Sequence, residues 1–172
     1  MKKLVFFVLC VVAIGGIYSA LSLQHPPAAV PGVEPGVNGE WIEDRAQAAQ
    51  LAKRYARPLL VLFEGSDWCL WCKKLEKETF THADWKTFAA KSLVLLKCDF
   101  PHKTPQPEPL VKQNAALLDE LKTENRFPTL VCLDPAGKEL GRMGYFPGGP
   151  ELFIPQLKIQ LDPNDPARGP HN

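Results

Sequence analysis

The stretch that most constrains this chain is Leu59–Phe80, LLVLFEGSDWCLWCKKLEKETF. An apolar run, Leu59 to Phe63, ends in the polar turn Glu64-Gly65-Ser66-Asp67. Trp68 and Cys69-Leu70-Trp71-Cys72 come next, then a charged segment with Leu75 and Phe80 as its apolar points. The pattern predicts strand, turn and helix, with Cys-x-x-Cys at the join. A helix start leaves backbone N–H groups without partners and carries partial positive charge. A thiolate there is stabilised, which marks Cys69 as a nucleophile at neutral pH. Cys72 stands one turn on, on the same face, so the pair can close a disulfide and reopen it. Lys73 adds positive charge, while Glu64 and Asp67 work against activation.

Metal chemistry fits the same cysteines less well. Zinc needs four ligands, and Cys98, Cys132, His25, His82, His102 and His171 stand at no ligand spacing. Covalent haem would need His where Lys73 stands. No metal and no other cofactor is expected.

Around this unit the chain offers one domain. At 172 residues and 45% apolar content it has room for a single core and some extra. A net charge of +1 with interspersed signs gives no footprint for nucleic acid. Met1-Lys2-Lys3 precedes an uncharged segment, Leu4 to Leu23, which predicts an export signal or an uncleaved anchor over 1–23. Ala20-Leu21-Ser22 offers small residues for a cut before Leu23, and either outcome exports the remainder of the chain. Cys10 is filler in the apolar core. Residues 24–39, with Pro26, Pro27, Pro31 and Pro35, read as a linker. Residues 40–161 carry the domain, and 162–172 a disordered tail.

Within the domain, Trp41 to Arg57 reads as an amphipathic helix after a short entry, with Ala46, Ala49, Leu51, Tyr55 and Ala56 as its apolar points. Pro58 ends it. Thr81-His82-Ala83-Asp84 kinks the helix that begins at the cysteines, and Trp85 to Lys91 continues it. Leu93 to Phe100 is a second buried strand, parallel to the first. A proline-rich loop leads to a helix ending near Thr123, with Val111, Ala115, Leu117, Leu118 and Leu121 as its apolar face. Thr129–Leu133 and Glu139–Tyr145 form a hairpin across Asp134-Pro135-Ala136-Gly137. A last helix ends near Leu161.

Cys-x-x-Cys after a buried strand, with Phe127-Pro128-Thr129 opening a later one, resembles the thioredoxin-like superfamily. The string Gly65-Ser66-Asp67-Trp68-Cys69-Leu70-Trp71-Cys72-Lys73-Lys74 resembles, more narrowly, its exported bacterial members of the DsbH type. The resemblance covers roughly residues 40–161 and implies an α/β thioredoxin fold, a central mixed β-sheet flanked by helices. It implies a periplasmic thiol–disulfide oxidoreductase, tethered by residues 4–23 if the anchor stays. Its partners are expected to be protein disulfide or dithiol substrates and a membrane electron donor of the DsbD type, and the protein is expected to be a monomer.

The resemblance also assigns residues. Pro128, behind Phe127, is expected to be cis and to face the sulfurs and the substrate backbone. Trp68 shapes the docking surface. Trp71 is either an exposed landing patch or part of the core. Thioredoxins pair a buried Asp with Lys beneath the second cysteine. Lys97 matches the Lys, but the Asp position falls nearest Leu62, leaving Glu64 or a water for proton transfer; otherwise Glu64 is a solvated turn acid. Cys98 and Cys132 are expected to stay unbridged, because family topology puts the Leu59 strand between theirs. Two strand spacings, about 9.6 Å, exceed the reach of a disulfide.

The expected direction of electron flow is reducing. Oxidants of the DsbA type carry a His between their cysteines and a helical insertion before the cis-proline strand; here stand Leu70-Trp71, and only one helix fits between Phe100 and Pro128. Two alternatives are a thioredoxin-fold binding or chaperone module with a static disulfide, and a metal-binding domain.

Overall fold

The computed structural model describes residues 34–162 and 164–167. The predicted signal or anchor, residues 24–33 of the linker, and residues 163 and 168–172 of the tail lie outside the described residues. No helix among the described residues is long and apolar enough to cross a membrane.

The elements run α1 (Arg45–Tyr55), β1 (Leu59–Glu64), α2 (Leu70–Leu75), a π-helical turn (Glu76–Phe80), α3 (Ala83–Ser92), β2 (Val94–Asp99), α4 (Glu108–Glu120), β3 (Thr129–Leu133), β4 (Glu139–Met143) and α5 (Gly149–Leu161). One mixed sheet has the order β2-β1-β3-β4. β1 pairs parallel with β2 and antiparallel with β3, and β3 pairs antiparallel with β4. β1 is therefore central and buried at every position, as an unbroken apolar run requires.

Side chains alternate across a strand, so β1 divides its residues between two cores. Leu59, Val61 and Phe63 pack with Leu51, Leu96, Cys98 and Leu117 beneath α1 and α4. Leu60 and Leu62 pack with Leu75, Phe80, Trp85 and Phe153 on the opposite face, under α2, α3 and α5. That second core is aromatic: Trp85 is fully buried, and Phe80 and Phe153 lie 4.9 and 5.6 Å from it. Glu64 continues the Leu60–Leu62 face and Lys97 shares it from β2, where Lys97 registers with Leu62. Parity alone thus puts both on the side of the sheet that carries the cysteine helix.

The structure corrects several boundaries. Residues 34–39 are packed rather than extended: Val37 is buried, and Gly36 O accepts Leu95 N–H at 3.0 Å. Gly39 has φ +88°, and a Cβ there would stand 2.6 Å from Lys86 O, so the Pro/Gly signal at this point marks a tight turn. α1 begins only at Arg45, because Asp44 caps it by accepting Gln47 N–H at 2.9 Å. Its buried face is Ala48, Leu51 and Ala52 rather than Ala46 and Ala49. The helix after the cysteines loosens before Thr81, into the π turn at Glu76. In α4 Val111 is exposed, and Asn114 is buried in its place, where its amide donates to Asp99 O at 3.1 Å.

Candidate active site

β1 delivers the chain to Glu64, and the turn beyond it is tight enough to need glycine. A Cβ on Gly65 would collide with the Trp68 indole. Cys69 N–H then donates to Gly65 O at 2.8 Å. Cys69 is the N-cap of α2, with extended backbone, and its Sγ accepts Cys72 N–H at 3.1 Å. A sulfur thus takes the place usually held by a Ser or Asp oxygen, satisfying an orphan donor of the first turn. Cys69 and Cys72 are joined as a disulfide with Cα atoms 5.3 Å apart, and both are nearly shut off from solvent. Such a pair can cycle between dithiol and disulfide, and the reduced Cys69 would have its negative charge met by the helix start.

The two residues between the cysteines face outward. Leu70 is 72% exposed and Trp71 50%, so burial of Trp71 in the core is ruled out. Trp71 rests against Tyr145 at 5.0 Å, and Lys74 Nζ stands 5.3 Å from the Trp71 ring and 5.2 Å from the Tyr145 ring. Tyr145 OH donates to Glu78 Oε2 at 2.6 Å. Trp71 is thus propped on the surface.

Trp68 is fixed from three sides. Its Nε1–H donates to Phe100 O at 2.8 Å, its ring stacks on His102 at 4.6 Å and 9°, and Phe127 meets it edge-on at 5.5 Å. The Phe127–Pro128 peptide bond is cis. Through Phe127, the Pro128 loop reaches the turn that carries Cys69.

The Asp67 carboxylate of the turn is engaged by the loop that follows β2. Asp67 accepts His102 N–H at 3.0 Å and Lys103 N–H at 2.6 Å, and these backbone bonds, that of His102 first, hold its carboxyl below the ordinary range. Lys73 Nζ donates to Asp67 O at 2.7 Å. Ser66 gives its N–H and Oγ–H to Asp99, at 2.9 and 2.6 Å.

Glu64 is no solvated turn acid. It is 4% exposed, and its Oε1 lies 3.1 Å from Lys97 Nζ. Burial pushes its carboxyl above the ordinary value of 4.5, and Lys97 pulls it partly back. Glu64, Cys72, Lys73, Glu76, Thr81 and Lys97 line an open cleft of about 400 Å³ behind the disulfide. The Glu64–Lys97 pair therefore stands on the Cys72 side, with Glu64 two residues along β1 from Leu62.

Cys98 and Cys132 lie on opposite faces of the sheet, with β1 between their strands. Burial pushes the Cys98 thiol up to about 12, from an ordinary value of 9.0. Among the described residues no three His, Cys, Asp or Glu side chains are placed to share a metal ion.

Sequence reasoning missed His102, Tyr145 and Glu76. A lone His in a proline-rich loop and a Tyr 67 residues from its partner Glu78 leave no local signal. Glu76 could have been found, since it is four residues beyond Cys72 on a helix.

Comparison with known proteins agrees with this geometry. A family model described as thioredoxin-like matches residues 40–135. The chain is 37% identical over 124 residues to the disulfide bond reductase DsbH of Chlamydia pneumoniae, covering 72% of this chain and 74% of that protein. It is 32% identical over 106 residues to the thioredoxin-related protein DsbJ of the same organism, a match that spans only 30% of DsbJ. A solved DsbH oxidoreductase superposes with a TM-score of 0.66 at 34% identity, over 81% of this chain and 92% of that one.

Proposed function

We propose, from the premise that this chain belongs to the thioredoxin-like family and is a thiol–disulfide oxidoreductase, that it reduces protein disulfides outside the cytoplasm. Cys69 is the attacking sulfur and Cys72 the resolving one. The Cys69 thiolate attacks a substrate disulfide and releases one substrate thiolate. Cys72 gives its proton to Glu64, attacks Cys69 Sγ and releases the second substrate sulfur. The Cys69–Cys72 disulfide remains, two electrons having passed to the substrate. Lys97 keeps the Glu64 carboxylate usable within its buried site. Trp71 and Trp68 with Phe127 and Pro128 form the surface on which the substrate chain lies.

The observation that carries the reducing direction is the setting of Cys69 Sγ. Its hydrogen-bond donor is a single backbone N–H, and the intervening Leu70 and Trp71 turn outward and supply neither charge nor donor. A thiolate so modestly stabilised leaves the disulfide comparatively stable, and the reduced pair a good electron donor. Each turnover leaves the pair oxidised, so a dithiol donor at the membrane, of the DsbD type, must restore it. Met1-Lys2-Lys3 and the apolar segment to Leu23 support export to the periplasm, by cleavage or as a tether. The protein acts as a monomer on protein substrates and does not engage nucleic acid. Turbidity from insulin reduction with a chemical dithiol tests the activity; a protein that stays inert there, yet oxidises reduced substrates quickly, would have the opposite direction.

A further inference from the structure

An exposed aromatic side chain ordinarily moves among rotamers, and ordering it opposes binding. Trp71 is half exposed, yet it is held on two sides. Its ring lies 5.0 Å from the Tyr145 ring at 41°, and Lys74 Nζ stands 5.3 Å from its centre. Both supports are themselves held. Lys74 Nζ stands 5.2 Å from the Tyr145 ring and 3.7 Å from Glu78 Oε1. Glu78 Oε2 accepts the Tyr145 hydroxyl at 2.6 Å. Every member of this set therefore touches at least two others, which is what fixes a surface cluster whose single contacts are each weak.

Two parts of the chain build it. Trp71, Lys74 and Glu78 follow the spacing i, i+3, i+7, which runs along one face of the helix that begins at the cysteines. Tyr145 comes from the segment between β4 and α5. Gly149, with φ +64°, brings the start of α5 against the π turn, where a Cβ would stand 3.0 Å from Glu78 O. That close approach sets Tyr145, four residues earlier, within reach of Glu78. The Lys74 and Glu78 charges offset each other, and the Tyr145 hydroxyl is engaged by Glu78. The cluster therefore offers solvent a ring, next to the exposed Leu70, rather than a charge.

We infer that Tyr145 and Lys74, anchored by Glu78, are positioning residues that hold Trp71 ready to receive an apolar side chain beside the disulfide of a protein substrate, a role that rests on the landing function given to Trp71 above. The cluster makes and breaks no bond. It acts on docking alone, by ordering Trp71 before the substrate arrives, so its contribution falls on KM rather than on kcat.

The test is a double-mutant cycle on the full-length protein, with insulin as the disulfide and excess chemical dithiol as the electron source. Tyr145→Ala is expected to raise KM for insulin by roughly two- to tenfold, the effect of ordering one large side chain on binding, with kcat kept. Lys74→Met should move KM the same way. Tyr145→Phe keeps the ring and loses only the bond to Glu78, so it should recover part of the rise. In a Trp71→Ala background, Tyr145→Ala should raise KM no further. Fluorine NMR of fluorotryptophan-labelled protein reads the same event directly: the Trp71 resonance, identified by its loss in Trp71→Phe, should shift in Tyr145→Ala. A Tyr145→Ala rise that persists in full without Trp71 overturns the inference, since Tyr145 then serves the fold or meets the substrate itself. An unchanged KM in Tyr145→Ala, with a raised one in Trp71→Ala, also overturns it and leaves the landing role of Trp71 standing. If Trp71→Ala leaves KM unchanged as well, both readings fail together.

Discussion

Lys97 Nζ stands 3.1 Å from Glu64 Oε1, on the sheet face that carries the cysteine helix, and the carboxylate it holds is almost wholly buried. The pair stands where thioredoxins are expected to keep an acid and a lysine, with the acid moved from the position nearest Leu62 to the strand's last residue. Strand alternation permits that move, because Leu62 and Glu64 point the same way.

The burial of Glu64 has a thermodynamic consequence. Its carboxyl is raised, so from about the ordinary value of 4.5 upward the native state holds that proton better than the unfolded chain does. Stability then falls as pH rises from there through the folded value. Glu64→Gln should remove that part of the slope, leaving the variant relatively more stable at neutral pH. Urea unfolding from mild acid to neutrality measures it, and an identical slope in the variant would count against a buried, titrating Glu64.

The two cysteines should behave differently. Reduced Cys69, at the helix start, is expected to alkylate first near neutral pH, with Cys72 protected a turn inside. Cys69→Ser should leave no disulfide reductase activity, whereas Cys72→Ser should accumulate mixed disulfides with substrates. Mass spectrometry of alkylated and trapped species decides this, and retention of full activity by Cys69→Ser would refute the assignment.

Trp71 should matter for protein substrates and not for small ones. Truncating an exposed aromatic contact costs about 1–2 kcal/mol of binding, a factor of roughly 5–30. Trp71→Ala is therefore expected to raise KM for a protein disulfide by about that factor, with the rate on a small aromatic disulfide unchanged. Equal losses on both would mean that Trp71 acts on the sulfurs instead.

Asp67 pins the proline-rich loop to the active-site turn through the N–H groups of His102 and Lys103. Its carboxyl is lowered, so this restraint is fully present above the unfolded value and is lost as pH falls through the folded one. Asp67→Asn should speed amide exchange at His102 and Lys103 and loosen the Trp68–His102 stack. Exchange rates matching those of the unaltered protein would show that the loop is held by other contacts.

Much of the fold and site is legible in the sequence alone. The apolar run of β1, the helix start at Cys69 and the hairpin across Asp134–Gly137 come from local pattern, and the strand order β2-β1-β3-β4 agrees with the family resemblance. Local pattern fails where distant groups decide the outcome. Proline and glycine make residues 34–39 read as linker, but Val37 finds a place in the core. Glu64 reads as a turn acid because its partner, Lys97, lies on another strand. His102 becomes a support for Trp68 only because β2 ends beside the active-site turn. Trp71 cannot be placed from spacing alone, since its exposure depends on Tyr145 and Lys74 coming up beside it.

The measurement that bears most directly on the reducing role is the reduction potential of the Cys69–Cys72 pair, by equilibration against glutathione or a dithiol buffer. A reductase with an outward-facing Leu70-Trp71 should lie near the thioredoxin end of the scale, on the order of −270 mV. A value above about −170 mV, on the side of the DsbA-type oxidants near −120 mV, would contradict the reducing role and make the protein an oxidase.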